Sequence, residues 1–412
     1  MPRVGRYRNP TINVDWLPDA LPPGVDVRPV VLPTPDRAST SGVLYAPEGS
    51  SDHVVAIMHP RVDCTHHYLI PGLLRAGYAV WAQRSRWVGN DLRLIHERVL
   101  IDVAVAHEHL RGQGFESVFL LGNSGGASLY AFYTQQAALQ PEARLTDDPS
   151  GNGIDLTLPM PMPRGVILLA PHPGQGELLM HCIDPSVVDE HDGASVELSL
   201  DMYDPNNGFA EPPASSSYTP EFLDRYRTAQ RERVARIDAR AKAMIAERKA
   251  HRARSKTSGD VADRRRSLVP DYLVTYRTDA DPRTTDLSLD PSDRNYGSIF
   301  GVRPDIINYG GTGFGRLTTP EAWLSTWSGL SSRAMLRLTA PDIAVPSLVI
   351  WYSADNSVFP ADVAAVVESL GSKDKTYVDV KGDHYGYAPG TEERSGATAA
   401  LEAVVDWLAG RA

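Results

Sequence analysis

Ser124 sits in the stretch Leu120-Leu121-Gly122-Asn123-Ser124-Gly125-Gly126, an apolar run that ends on one hydroxyl boxed in by glycines. A serine hydroxyl is a weak nucleophile. It attacks an acyl carbon only when a base takes its proton and an acid holds that base in place. Residues 122–126 match G-x-S-x-G, and apolar residues on either side predict a strand before the serine and a helix after it. In that context the pattern describes a sharp corner: the serine is held in a strained backbone, small flanks let strand and helix pass, and the helix N-terminus faces a developing oxyanion. A plain glycine turn is the alternative.

Two further residues complete the set. Asp355 follows the apolar run Ser347 to Tyr352, and His384 follows Thr376 to Val380. Both fall where predicted strands end, and the order Ser, Asp, His suits an open parallel sheet. His384 is the expected base and Asp355 its orienting acid. Asp383 adjoins His384, but a sequence neighbour rarely reaches Nδ1 of the next imidazole. Ser128, one turn beyond Ser124, is expected to pack or to bond the backbone.

The elements that must position these residues are legible around them. Strands are predicted in 25–33, 41–49, 53–59, 78–84, 117–123, 165–170, 347–352 and 375–380. Helices are predicted in 94–112, 125–139 and 398–409, with a shorter one before Gly77. Strands that are continuous apolar runs and alternate with helices predict a mostly parallel α/β sheet covered on both faces. Between His172 and Val345 the pattern breaks into segments rich in Asp, Pro, Ser and Arg. Thr219-Pro220-Glu221 opens a long helix there. It is expected to run to Arg254, about 50 Å at 1.5 Å per residue.

With the motif, the strand order, the loop at Asp355 and the late His384 in place, the chain resembles the α/β-hydrolase superfamily over residues 25–175 and 345–410. The resemblance implies an α/β-hydrolase fold with a largely helical cap inserted after the sixth strand. The expected division is 1–171 and 346–412 for the core and 172–345 for the cap. It also implies a two-donor oxyanion hole. One donor is the N–H of Gly125. The other follows the strand ending at His59; Pro60 has no N–H, so Arg61 is the expected donor. His59, Asn123 and Trp327 are candidate substrate contacts. A serine at the elbow separates the chain from members that use aspartate there.

The expected reaction is hydrolysis of a carboxylic ester or lactone through an acyl-enzyme, with no metal or organic cofactor. The triad leaves open a C–C bond hydrolase or an acyltransferase, and a catalytically silent binding protein on the same fold. The apolar stripe of the long helix (Leu223, Tyr226, Val234, Ile237, Ala241, Met244) is a candidate homodimer contact. The segment after it, 255–266, reads as mobile, and so does the glycine-rich loop 308–316. Asp189 to Asp192 reads as a solvated loop. Cys64 reads as a small buried group, and His66 and His67 as substrate contacts or a polar loop.

Bulk properties bound the rest. The net charge of −10 argues against a nucleic-acid or anionic-membrane surface. No apolar stretch is long enough to span a bilayer, and residues 1–20 show no secretory apolar segment. Two cysteines, Cys64 and Cys182, are too few for a disulfide framework and lack metal spacing. A cytoplasmic protein is expected.

Overall fold

The computed structural model describes residues 21–49, 52–391 and 393–411. The reading of the first 20 residues lies outside them. The first part of the chain supplies β1 (Asp26–Pro33), β2 (Ser39–Ala46), β3 (His53–His59), α1 (Ile70–Arg75), β4 (Ala79–Arg84) and α2 (His96–Gly112). It continues through β5 (Ser117–Asn123), α3 (Gly125–Ala137) and β6 (Gly165–Leu169). Residues beyond β6 form α4 (Gln175–Cys182), α5 (Pro220–Ser258), α6 (Val261–Leu268), β7 (Leu273–Val274), α7 (Pro304–Ile307), β8 (Leu317–Thr318), α8 (Pro320–Ala322) and α9 (Leu336–Thr339). The chain then returns to the sheet with β9 (Ser347–Tyr352), α10 (Pro360–Ser369), β10 (Lys375–Val380) and α11 (Ser395–Ala409).

Eight strands form one sheet in the order β1-β2-β4-β3-β5-β6-β9-β10. β1 pairs with β2 and β2 with β4 antiparallel; every other pair is parallel. This is the α/β-hydrolase fold. Its central strands bury both faces, which is why they read as unbroken apolar runs. Val54, Ala56 and Met58 of β3 pack with α2 and α3 residues such as Val103 and Leu129. Val55 and Ile57 pack on the other face with Leu73, Val404 and Trp407 from α1 and α11.

The segment between β6 and β9 builds its own apolar clusters. Leu178, Leu179, Val234, Ile237, Ala241, Trp323 and Trp327 share one, and Tyr218, Phe222 and Tyr226 share another. Several expectations are corrected here. The long helix is present, capped by the Thr219 side chain accepting from Phe222 N–H and stopped by left-handed Gly259. It runs four residues past Arg254. Its stripe is covered by the chain itself: Tyr226, Val234, Ile237 and Ala241 are buried. The unsatisfied face on which the homodimer idea rested is therefore filled within one chain. The segment is also less helical than expected, since 183–219 and 275–303 hold only short single turns. Residues 255–266 are not a loose stretch: α6 folds back on α5, with Asp263 bonded to His251 and Arg254. Loop 308–316 is pinned, with Asn308 bonded to Asp184 and Arg316 bonded to the Asn308 and Thr312 carbonyls. Glu190 in the supposed solvated loop makes two 2.8 Å bonds to the fully buried Arg233.

Candidate active site

Five loops meet at the carboxyl edge of the sheet, and parallel strands place them there. Ser124 follows β5 with φ 56° and ψ −121°, a backbone region that L-residues rarely occupy. Close packing holds it. A Cβ on Gly122 would lie 2.3 Å from the Gly126 carbonyl oxygen, and one on Gly126 would lie 2.3 Å from that of Met58. The corner therefore needs both glycines. Gly125 opens α3, so its N–H has no acceptor inside the helix.

The structure brings Ser124, His384 and Asp355 together. His384 Nε2 lies 2.9 Å from Ser124 Oγ, and His384 Nδ1 lies 2.6 Å from Asp355 Oδ2. Asp355 Oδ1 accepts the N–H groups of Ser357 (2.6 Å) and Val358 (3.0 Å). The carboxylate is fixed from both sides. Asp383 is turned away and accepts the amides of Tyr385 and Tyr387. Ser128 donates to the Gly125 carbonyl and, at 3.4 Å, to Gln175.

Burial opposes charge on His384, but the Asp355 charge and hydrogen bond outweigh it and hold the imidazole above its ordinary value. The histidines around it behave oppositely. Burial, joined by Arg61 and neighbouring imidazoles, pushes His59 well below the ordinary value and His172 to about 3. His67 and His96 are lowered to about 4, again chiefly by burial. These rings are neutral at pH 7. Burial also raises the Cys64 thiol, which leaves it inert as a nucleophile.

A cavity of about 820 Å³, mouth included, opens onto Ser124 and His384. His59, Asn123, His66, His67 and Tyr68 line it from the core side, and Leu178, Ile299 and Phe314 from the inserted segment. Two sequence-based candidates are corrected. Trp327 does not line the cavity; it is fully buried behind Phe314, and the Arg61 guanidinium stacks 4.7 Å from its ring centre. Arg61 N–H is not free either: it donates to His59 Nδ1 at 3.0 Å, as does Val62 N–H. An imidazole two residues upstream captures the amide that Pro60 leaves as next in line. His172 and Gln175, absent from the sequence-based set, lie beside Gly125. A readable signal existed. His59-Pro60 and His172-Pro173 are the same dipeptide, at the ends of the two strands that flank β5.

Among the described residues, no group of three or more His, Cys, Asp or Glu could hold a metal ion. No helix there is long and apolar enough to cross a membrane.

No protein-family model matches the chain, and no curated protein matches it. Distant likenesses among solved structures include DcsB in complex with its substrate analogue, at 13% identity and TM-score 0.47, covering 94% of this chain and 99% of that one. A fungal esterase from Rhizomucor miehei is 13% identical at TM-score 0.46, over 94% and 83% of the two chains. The α/β hydrolase GrgF from Penicillium sp. sh18 is 12% identical at TM-score 0.46, over 93% and 98%.

Proposed function

We propose that this chain is a serine hydrolase that cleaves a carboxylic ester or lactone through an acyl-enzyme. The observation that carries the reading is the continuous hydrogen-bond relay from Ser124 through His384 to Asp355, in a backbone that aims the serine at a cavity. In the proposed reaction His384 takes the Ser124 proton as Oγ attacks the acyl carbon. Asp355 holds Nδ1–H and balances the imidazolium. The leaving oxygen takes that proton, and His384 then activates water to release the acid.

Residues 172–345 act in this proposal as a cap. Leu178, Ile299 and Phe314 support that role because they close the cavity from above the strand ends. The lining also favours an uncharged substrate. Arg61 is paired to Asp91 and Asp63 to Arg84, so neither is left to bind an ionic group. The test is covalent labelling. A fluorophosphonate should modify Ser124 in the parent protein, and Ser124→Ala should abolish both label and p-nitrophenyl ester turnover with folding intact. Residual turnover above a few per cent in that variant would remove Ser124 as nucleophile.

A further inference from the structure

The donors for a developing oxyanion are the open chemical question at this site. Gly125 N–H supplies one. The backbone after β3 supplies no second: Pro60 has no N–H, and those of Arg61 and Val62 are both taken by His59 Nδ1. The same arrangement recurs across the nucleophile strand. After β6, Pro173 has no N–H, and Gly174 N–H donates to His172 Nδ1 at 3.1 Å. In each His-Pro turn the backbone N–H two residues on fixes the imidazole. A ring whose Nδ1 accepts a hydrogen bond must carry its proton on Nε2 when neutral.

Both Nε2 atoms lie beside the same residue. His59 Nε2 lies 2.7 Å and His172 Nε2 2.9 Å from where a Cβ on residue 125 would sit, with Gln175 Nε2 at 2.3 Å. Gln175 is 1% exposed. Its Oε1 accepts from Ser128, which turns its NH₂ toward Gly125. That nitrogen has no hydrogen-bond partner among the described residues; it faces the His96 ring without bonding geometry. Side-chain N–H donors from β3, β6 and α4 thus converge beside the residue that follows the nucleophile, where a glycine leaves room. His96, whose ring nitrogens are buried without a hydrogen-bond partner, offers Gln175 an acceptor, so the donors left facing the cavity are the Nε2–H groups of His59 and His172, and such donors await an electron-rich atom. His59 and His172 also line the cavity shared by Ser124 and His384.

We infer that the second oxyanion donor is an imidazole: the Nε2–H groups of His59 and His172 join Gly125 N–H in holding the substrate oxygen. This rests on the acyl-enzyme reading above. As the Ser124 Oγ–carbon bond forms, the carbonyl π pair moves onto that oxygen and the serine proton passes to His384. When the tetrahedral species collapses, the pair returns to the carbonyl. The alkoxide leaves with the proton from His384. The two donor rings neither gain nor lose a proton in this cycle. They hold a growing negative charge, as preorganised donors do.

The test uses the full chain with a p-nitrophenyl ester and the matching thionoester, in which sulfur replaces the carbonyl oxygen and accepts hydrogen bonds poorly. The variants are His172→Phe and His59→Phe, which keep a ring and remove the donor, and His172→Gln, which restores an N–H near the Nε2 position. The expected result is a loss of about 10²–10³ in kcat for each Phe variant, with KM little changed. The oxo-to-thiono preference of the parent should shrink in the Phe variants, and His172→Gln should recover much of both. A folding defect alone would lower both substrates equally. Folded Phe variants with parental kcat and parental preference would overturn the inference. Should the Phe variants not fold, ¹⁵N-histidine NMR of the parent decides. Phosphonylation of Ser124 should shift the Nε2–H signals of two neutral histidines besides His384, and an unshifted pair overturns the inference. Failure of the parent itself to take label at Ser124 would instead defeat the underlying function reading, and it shows before any variant is made.

Discussion

Asp355→Asn is the sharpest perturbation of the proposed relay, because the surroundings dictate how the asparagine must sit. Asp355 is fully buried, and its Oδ1 accepts two backbone N–H groups, from Ser357 and Val358. An asparagine has one oxygen. If that oxygen keeps the two amides, its NH₂ faces His384 Nδ1, which must then accept. The imidazole is driven into the Nε2–H tautomer and presents a proton to Ser124 Oγ instead of a lone pair. The opposite flip would serve catalysis but would leave two buried amides facing an NH₂ group. At about 1–3 kcal/mol for each unsatisfied buried donor, that flip is disfavoured by about 2–6 kcal/mol. The inactive tautomer is then favoured by roughly 30-fold to 10⁴-fold, at 1.4 kcal/mol per factor of ten. With loss of the charge that balances the imidazolium, the expected fall in kcat/KM is about 10³–10⁴. The assay is p-nitrophenyl ester hydrolysis at pH 7 with matched circular dichroism melts. Asp383→Asn, whose carboxylate bonds the amides of Tyr385 and Tyr387 and reaches His384 through its charge without a hydrogen bond, should cost far less. A folded Asp355→Asn within tenfold of the parent, or a reversed ranking of the two variants, would refute the tautomer argument.

The pH dependence of kcat/KM should show an acid limb above the ordinary histidine value of about 6.5, because Asp355 holds His384 above it and the protonated ring cannot accept the serine proton. A midpoint at or below pH 6 would contradict the pairing. Stability should fall as pH drops from about 6.5 toward 4. The buried rings of His67, His96, His107 and His181 are lowered to about 4. Each takes up a proton on unfolding in that window, and each contributes at most about 1.4 kcal/mol per pH unit. His384 acts with the opposite sign, since its raised value adds stability that is lost as pH rises through it, and so do the buried carboxyls of Glu97 and Asp279, raised to about 7, and of Asp102, raised to about 6. Urea midpoints measured at pH 7.5 and 5.0 test the net direction, and an unchanged midpoint would contradict the expected fall. Arg233→Ala should lower the urea midpoint by the equivalent of about 3–5 kcal/mol. It strands Glu190 and the Asp184 and Tyr276 carbonyls that the guanidinium now satisfies. A parental midpoint would mean that water replaces the guanidinium.

The sheet and the relay were legible because local pattern and global position agree there. A parallel strand buried on both faces must be apolar at every position, so β3, β5, β6 and β9 stand out from their neighbours. Residues at their carboxyl ends then share an edge whatever intervenes. The segment between β6 and β9 follows no such rule. Its order comes from polar side chains that find partners far away in sequence. Asn308 bonds Asp184, and Ser325 caps α2 by accepting His96 N–H while donating to Glu97. Composition cannot distinguish such residues from a solvated loop, which is how Glu190 and loop 308–316 came to be misread. The oxyanion donor was misread for a different reason. Counting backbone N–H groups past Pro60 leads to Arg61, but a count takes no account of a side chain folding back onto its own turn.

The histidines around Ser124 divide by one contact. His59, His67, His96 and His172 are buried without a carboxylate, so burial leaves them neutral. His384 is as deeply buried, yet Asp355 at 2.6 Å reverses the outcome. The division suits the proposed chemistry. A base must alternate between neutral and charged forms near the working pH, whereas a donor to an oxyanion must stay neutral at rest. A charged donor would bind any anion in the cavity and would oppose the imidazolium on His384 by like-charge repulsion. A second carboxylate placed beside His59 or His172 would erase the distinction. Within this site the carboxylate is spent once, on the ring that has to accept a proton.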